Sequence, residues 1–164
     1  MFSRKQKYFF FKLFSLFSVV RGYNILIIII AQYLTSIYIL APQLPIKEIL
    51  FDINLFMIVV ASATAIASGY IINNFYDSEK DLINRPTKSM LDRLVGQRKK
   101  LNFYLVLNFL SLVAALFVSY KAALFFFLFI FGIWLYSHKL KKYPFIGNLV
   151  AAILAVVPLF AVFV

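Results

Sequence analysis

Five long apolar stretches divide the chain, and short polar segments rich in Lys and Arg separate them. Each stretch approaches the ~20 apolar residues that an α-helix needs to cross the hydrocarbon core of a bilayer. The pattern therefore predicts an all-α integral membrane helical bundle with about five transmembrane helices. The predicted spans lie near residues 23–41, 53–75, 101–120, 122–137 and 145–164.

The segment before the first span has a different pattern. Residues 1–22 begin with a basic cluster and continue as a Phe-rich run in which polar residues recur at roughly helical spacing. This pattern is typical of an amphipathic helix that lies in the membrane interface. A signal peptide is the alternative, but Lys12 interrupts the apolar run and no Ala-x-Ala-like cleavage site follows it. We therefore divide the chain into a basic interfacial segment, 1–22, and a transmembrane bundle, 23–164, with a polar loop at 76–100.

Composition excludes a soluble globular domain. Hydrophobic residues make up 63% of the 164 residues and charged residues only 14%, whereas an ordinary soluble domain is about 45–50% apolar and about 25% charged. The chain has no cysteine, which excludes disulfides, thiolate metal sites and cysteine nucleophiles. The net charge is +11, but the basic residues lie between apolar runs rather than across a soluble surface. We expect membrane lipids, and no nucleic acid, as partners.

The basic residues alternate along the chain in step with the predicted spans. Lys and Arg number five in residues 1–22, seven in 76–100 and three in 138–144, while the two other loops contain only Lys47 and Lys121. By the positive-inside rule, the N-terminus and both basic loops face the cytoplasm. This predicts a protein of the cytoplasmic (inner) membrane whose active-site loops are cytoplasmic.

Small residues concentrate in the second predicted span. Residues 61–69 consist of Ala, Ser, Thr and Gly with a single Ile. Small side chains allow helix backbones to approach closely in lipid. We therefore expect the second span to lie at the centre of the bundle.

Three polar side chains follow this span at helical spacing. Asn73, Asp77 and Asp81 are each four residues apart, so they form one stripe if the helix continues past the membrane face. Two carboxylates at this spacing repel each other, and a bound cation would remove that cost. Mg²⁺ is the natural candidate, because it is usually held by one or two carboxylates together with water and phosphate oxygens. The alternative is a solvated helix end, at which Asp81 pairs with Arg85 and Asp77 meets water.

Three motifs resemble those of a known family. Residues 73–86 read Asn-Asn-Phe-Tyr-Asp-Ser-Glu-Lys-Asp-Leu-Ile-Asn-Arg-Pro, which resembles the first aspartate motif of the UbiA family of intramembrane prenyltransferases. Arg-Gly-Tyr-Asn at 21–24 and Tyr-Ser-His-Lys-Leu-Lys at 136–141 resemble the family's Arg-Pro-x-Asn and Tyr-Ser-x-x-Leu-Lys. Within the family, residues 70–77 and 144–150 are similar to the branch of geranylgeranylglycerol-phosphate geranylgeranyltransferases.

The resemblance implies the N-terminal half of a UbiA-type fold. The family fold has about nine spans and a second Asp-rich motif, and the chain stops before either is complete. Val164 lies inside the fifth apolar stretch, with no basic or aromatic anchor after it. We therefore expect a truncated product or fragment whose partner is the missing C-terminal half. Two positions depart from the family pattern, since Asn74 stands where Asp is common and Gly22 where Pro is usual.

The resemblance also implies an activity and a set of site residues. The expected reaction is Mg²⁺-dependent transfer of a prenyl group from a prenyl diphosphate to a lipid or aromatic acceptor. The implied metal ligands are Asn73, Asp77 and Asp81, and the implied catalytic residues are the two aspartates and Tyr136, whose ring can stabilise an allylic cation. The implied substrate-binding residues are Arg21, Asn24, Asn73, Asn84, Arg85, Lys88 and Lys139. The positive-inside excess accounts for most other basic residues of these loops, including Lys100 and Lys141.

Three other functions are weighed against this interpretation. The first is a catalytically inactive, truncated membrane segment that needs a partner half, which the lack of a second Asp motif favours. The second is a CDP-alcohol phosphotransferase, but the Asp-Gly-x-x-Ala-Arg signature of that class is absent. The third is a channel or carrier, but the Asp pair stands at the end of a span rather than at its middle.

Overall fold

The computed structural model describes residues 19–84 and 95–164, and in these ranges the chain is a bundle of helices. Five of the helices, taken with the helical turns that extend them, are long and apolar enough to cross a membrane, which confirms the predicted all-α membrane bundle. The helices are α1 (Gly22–Thr35), which continues as a π-helical turn (Ser36–Leu40), α2 (Ile46–Leu50), α3 (Ile53–Asn84), α4 (Gln97–Val118), α5 (Tyr120–His138) and α6 (Pro144–Phe160). Short 3₁₀ turns follow α5 (Leu140–Lys142) and α6 (Ala161–Phe163). The predicted interfacial segment lies outside the described residues, apart from its last four.

Helix α3 is longer than the apolar pattern predicts. It continues to Asn84, whereas the second span was predicted to end near residue 75 and a loop to begin at 76. The apolar pattern marks where side chains leave lipid, but the backbone hydrogen bonds of a helix continue until a residue interrupts them, and 53–84 contains no proline. Helix α4 likewise begins at Gln97, four residues before the predicted span. The predicted loop 76–100 is therefore shortened at both ends.

Helix α3 lies at the centre of the bundle, as its small residues predict. Ala61, Ser62 and Ala65 are completely buried, and α3 packs against α4, α5 and α1. Gly69 shows how close the helices come, because a Cβ added there would lie 3.0 Å from the Cγ2 atom of Ile133 on α5. The small-residue face of α3 thus allows α5 to pack directly against it.

Buried polar side chains connect helices at the depth of the membrane. The Nε2 atom of Gln32 on α1 donates to Ser62 Oγ on α3 and to the backbone oxygen of Pro158 on α6, both at 2.7 Å. The hydroxyl of Ser111 on α4 donates to the backbone oxygen of Ala61 at 2.8 Å. Such groups have no water to bond with in a bilayer, so these contacts stabilise one relative position of the helices.

Two short connections make neighbouring helices run in opposite directions. A single extended residue, Ser119, joins α4 to α5, and its hydroxyl accepts a hydrogen bond from the backbone of Ala122 at 2.9 Å. After α5, the 3₁₀ turn packs against Gly147 of α6. The chain therefore crosses back and forth, so that the start of α1, the end of α3, the start of α4, the end of α5 and the start of α6 lie at one end, which we call the basic end of the bundle.

Candidate functional site

The stripe of Asn73, Asp77 and Asp81 is helical in the structure. All three residues lie on α3 and are partly buried. Asn84, eleven residues after Asn73, lies about 20° from it around the helix, because each residue turns the helix by about 100°. Asn84 is exposed on the same face at the last residue of α3. The continuation of the helix thus presents four oxygen-bearing side chains on one face at the basic end.

A lysine from the turn after α5 contacts this stripe. The Nζ atom of Lys141 lies 2.7 Å from Asp77 Oδ1 and donates to Asn73 Oδ1 at 3.1 Å. The exposed fractions of the two side chains are 13% for Lys141 and 25% for Asp77. Two oxygens of the stripe therefore converge on a single positive charge in a half-buried setting.

Sequence reasoning attributed Lys141 to the positive-inside excess, but in the structure it is the lysine that contacts the stripe. The resemblance pointed to Lys139, which is exposed in the structure, and no ion pair joins Lys139 to the stripe within the described residues. The signal was available, since the motif Tyr-Ser-x-x-Leu-Lys ends on Lys141 rather than Lys139. The prediction that Lys139 binds substrate stays a prediction, and it is Lys141 that the 3₁₀ turn returns towards α3.

One aromatic ring, that of Tyr76, lies beside this ion pair and begins a series of ring contacts. The ring of Tyr76 lies 5.3 Å from that of His138, and the His138 ring stacks on Trp134 with 5.5 Å between centroids and 4° between planes. The Nζ atom of Lys141 lies 5.9 Å from the centroid of the Tyr76 ring. The sole histidine thus packs between the rings of Tyr76 and Trp134.

Arg21 and Asn24 meet α3 at Tyr70. The side-chain amide of Asn24 donates to the Tyr70 hydroxyl at 2.8 Å, and the guanidinium carbon of Arg21 lies 5.3 Å from the centre of the Tyr70 ring. Arg21 has φ 48° and ψ 55°, a left-handed conformation that costs an L-residue about 1–2 kcal/mol. It is the only non-glycine residue with positive φ in the described chain. Surrounding contacts therefore hold Arg21 above Tyr70 against a local backbone cost.

A cavity of about 550 Å³ opens beside these residues between α1, α3, α5 and α6. Four of the predicted site residues line it, namely Arg21, Asn24, Asn73 and Tyr136. Deeper in the bundle its wall is mostly apolar. The apolar part of the lining includes Ile66, Phe129, Ile133, Leu154, Ala155 and Pro158. The cavity thus has a polar entrance at the basic end and an apolar interior at membrane depth.

Two further polar residues are buried at the basic end, and one of them lines the cavity. Ser137 is 1% exposed and lines the cavity, and its hydroxyl has no hydrogen-bond partner among the described residues. Lys100 is also 1% exposed, and its Nζ atom donates to Asn74 Oδ1 at 2.7 Å. Sequence reasoning attributed Lys100 to the surface charge of the loop. Its burial could not be read from the charge pattern, because the first turn of α4 was assigned to that loop.

The structure therefore brings together only part of the predicted site. The cavity is lined by four of the predicted residues, Arg21, Asn24, Asn73 and Tyr136. Asp77 is linked to this group because Lys141 contacts both Asp77 and Asn73. Asp81 lies one turn further along the stripe, and Asn84 and Lys139 are exposed. Arg85 and Lys88 lie outside the described residues. A polar entrance above an apolar cavity suits an amphiphile with a charged head and a hydrocarbon tail.

Comparison with known proteins identifies the family of the chain. The model of the UbiA prenyltransferase family matches residues 29–164. Digeranylgeranylglyceryl phosphate synthase of Thermococcus gammatolerans is 37% identical over 65% of this chain and 39% of its own length. The enzyme of the same name from Pyrococcus horikoshii is 32% identical over 83% of this chain and 47% of its own length.

A solved structure, described as that of digeranylgeranylglyceryl phosphate synthase in membranes, superposes with a TM-score of 0.74 at 25% identity. The match covers 92% of this chain and 52% of that one. The chain thus spans about half the length of the relatives that it matches. Since the family model covers most of the chain and the helical bundle agrees with that of a solved relative, the chain belongs to the UbiA prenyltransferase family.

Proposed function

We propose that the protein containing this chain transfers a prenyl group from an allylic prenyl diphosphate to a lipid acceptor. The observation that carries the proposal is the convergence of Asn73 and Asp77 on one cationic point beside a cavity with an apolar interior. The relatives named above are synthases of digeranylgeranylglyceryl phosphate, which favours a glycerol-phosphate lipid over an aromatic acceptor. The remaining length of such relatives is expected to supply the other part of the site.

The residues of the stripe fit a magnesium ion. Asn73 Oδ1 and Asp77 Oδ1 already share one cation, the Lys141 ammonium, so their oxygens are placed to share another. Asp81 adds a second carboxylate one turn away. Two carboxylates and an amide oxygen leave places for water and diphosphate oxygens, which is the usual ligand set of Mg²⁺. Asn73, Asp77 and Asp81 are therefore the proposed ligands, and bound Mg²⁺ would stabilise negative charge on the leaving diphosphate.

The chain's own residues would position the donor. In our proposal the prenyl tail lies in the apolar part of the cavity, and the diphosphate lies at the entrance near Arg21 and Asn73. Arg21 suits this position because a guanidinium can donate two parallel hydrogen bonds to phosphate oxygens. The Tyr70 ring and the backbone of α1 hold the guanidinium near the entrance.

The chemistry at this entrance would be ionisation of the donor followed by capture. The bond between the allylic carbon and the diphosphate oxygen breaks, and its electron pair leaves with the diphosphate. The ring of Tyr136, which lines the entrance, would face the resulting allylic cation and stabilise it. A hydroxyl of the acceptor then forms the new carbon–oxygen bond and loses its proton.

The proposed orientation places the basic end in the cytoplasm. The lysines of the turn after α5 and the residues that begin α1 and α4 lie at this end. The positive-inside rule assigns such an end to the cytoplasmic side of the inner membrane. Water-soluble Mg²⁺ would then reach the site from the cytoplasm.

A transfer assay tests this proposal. The full-length protein, in membranes, is given radiolabelled geranylgeranyl diphosphate with Mg²⁺ and either geranylgeranylglyceryl phosphate or 4-hydroxybenzoate. We expect label to enter the lipid acceptor and not the aromatic one, and chelation by EDTA to abolish the product. Label in the aromatic product would overturn the lipid assignment, and label in neither product would overturn the transferase assignment.

A further inference from the structure

The Lys141 ammonium lies at the point where a metal ion would bind. Its Nζ atom is 2.7 Å from Asp77 Oδ1 and 3.1 Å from Asn73 Oδ1. These are two of the three oxygens that the proposed function assigns to Mg²⁺. Since Lys141 is 13% exposed and Asp77 25% exposed, water screens this pair less than it would screen a pair on the surface.

A metal ion and this ammonium would compete for the site. Each would use the Asp77 oxygen that faces Lys141, and two cations within a few ångströms of each other repel strongly in a half-buried setting. Binding of Mg²⁺ through this oxygen would therefore displace Lys141 from Asp77. The displaced ammonium then needs another anion, because a buried charge without a partner is costly.

The position of Lys141 allows its side chain to move while its backbone stays in place. The backbone of the 3₁₀ turn packs on Gly147, where an added Cβ would lie 3.1 Å from the Lys141 Cα. The long, flexible side chain beyond that Cα can adopt other rotamers. The donor's diphosphate, proposed to lie at the adjacent cavity entrance, is the nearest new anion that would arrive with the metal.

We propose that Lys141 is an exchangeable counter-ion of the metal site. Without ligand it neutralises Asp77. When Mg²⁺ takes Asp77, Lys141 transfers to the diphosphate that accompanies the metal. The inference rests on the proposed function, and it adds an expectation about how metal and diphosphate affect each other's binding. Metal alone should bind weakly, and diphosphate should strengthen metal binding through Lys141 as well as through direct contact with the metal.

Binding of Mn²⁺, a spectroscopic substitute for Mg²⁺, tests the exchange without measuring turnover. The loss of the free Mn²⁺ signal in electron paramagnetic resonance gives the Kd of the full-length protein, with and without methylenediphosphonate. Wild type is compared with Lys141→Met and with Lys142→Met, which removes the same charge from the exposed neighbour. Identical analogue concentrations cancel chelation in solution when the variants are compared.

We expect Lys141→Met to bind Mn²⁺ alone about fivefold or more tightly than wild type, because no ammonium competes for Asp77. The strengthening of Mn²⁺ binding by the diphosphonate should be about fivefold or more smaller in this variant than in wild type. Lys142→Met should behave as wild type in both measurements. If Lys141→Met does not fold, Lys141→Gln keeps a hydrogen-bonding side chain without the charge and should give the same pattern.

Two results would overturn the inference, and they differ in what else they affect. Equal Mn²⁺ affinities and equal strengthening in the Lys141 and Lys142 variants would show that Lys141 is not exchanged, while the metal site itself would stand. No binding of Mn²⁺ by wild type, with or without the diphosphonate, would overturn the proposed metal site and the inference with it.

Discussion

Gly147 on α6 lies directly against the backbone that carries Lys141. A Cβ added at Gly147 would come within 3.0 Å of the Leu140 carbonyl oxygen and 3.1 Å of the Lys141 Cα. These neighbours are backbone atoms, which cannot move aside as the end of a side chain can. The contact therefore determines how closely the turn after α5 approaches α6, and through it the position of Lys141 beside Asp77.

Gly147→Ala should displace Lys141 and weaken donor binding. We expect kcat/KM for the prenyl diphosphate to fall about tenfold, equivalent to about 1.4 kcal/mol, with normal insertion into the membrane. Gly132→Ala is the matched control, because a Cβ there would meet only the Cδ2 end of the Leu154 side chain, at 3.3 Å. Equal kcat/KM in both variants and wild type would refute the positioning role of Gly147.

Tyr70→Phe should loosen the entrance of the cavity. The substitution removes the hydroxyl that accepts the hydrogen bond from Asn24 at 2.8 Å and keeps the ring beneath Arg21. The loss of one hydrogen bond corresponds to about 1 kcal/mol, or about a fivefold rise in KM for the donor if the bond helps to position α1. Tyr38→Phe serves as the control, since Tyr38 is exposed and lies in the π-helical turn at the far end of α1. An unchanged KM in Tyr70→Phe would show that this bond does not organise the entrance.

Gln32→Leu should destabilise the bundle without direct contact with the site. It leaves Ser62 Oγ and the Pro158 carbonyl without the Gln32 donor, and hydrogen bonds between helices in membranes contribute about 0.6 kcal/mol on average and up to about 1.7 kcal/mol. Thermal unfolding in detergent is expected to shift to lower temperature. Leu34→Ile, at an exposed position of the same helix, should leave the transition unchanged. A transition temperature of Gln32→Leu equal to that of wild type contradicts a stabilising role for this contact.

The orientation of the bundle can be tested cleanly because the chain has no native cysteine. In the full-length protein, freed of any cysteine outside these residues, single variants Lys142→Cys and Lys47→Cys place a thiol at opposite ends of the bundle, and both positions are exposed. A membrane-impermeant maleimide added to intact cells should label Lys47→Cys only, and inverted vesicles should reverse the result. The opposite pattern would place the basic end outside the cytoplasm.

The spans could be predicted from the sequence because lipid imposes a simple requirement. A helix that crosses the bilayer must be apolar along its length, so the five apolar stretches correspond to the five candidate spans. The central position of α3 followed from similar reasoning, since small residues such as Ala61 and Ala65 allow neighbouring helix backbones to pack closely. These features depend on local composition, which a single sequence displays directly.

The details of the site depend on contacts that composition does not display. The helical spacing of Asn73 and Asp77 was visible, but the lysine that meets them comes from a turn more than sixty residues later. The motif marks Lys141 as a residue of interest, but its approach to α3 depends on the direction of that turn, which packs on Gly147. The burial of Lys100 beside Asn74 likewise requires the start of α4, which the charge pattern concealed.

If the aspartate stripe binds the metal and diphosphate of a prenyl donor, both of its carboxylates are needed for transfer. Prenyl transfer to the lipid acceptor is measured for the full-length protein as wild type, Asp77→Asn, Asp81→Asn and Glu79→Gln, with membrane insertion checked for each. Glu79 is the control, because it is an exposed carboxylate between the two aspartates and on a different face of α3. We predict that either aspartate substitution lowers the rate by about 100-fold or more, while Glu79→Gln stays near wild type. Wild-type turnover in Asp77→Asn or Asp81→Asn, with the protein correctly inserted, would show that the stripe does not bind the metal of the donor.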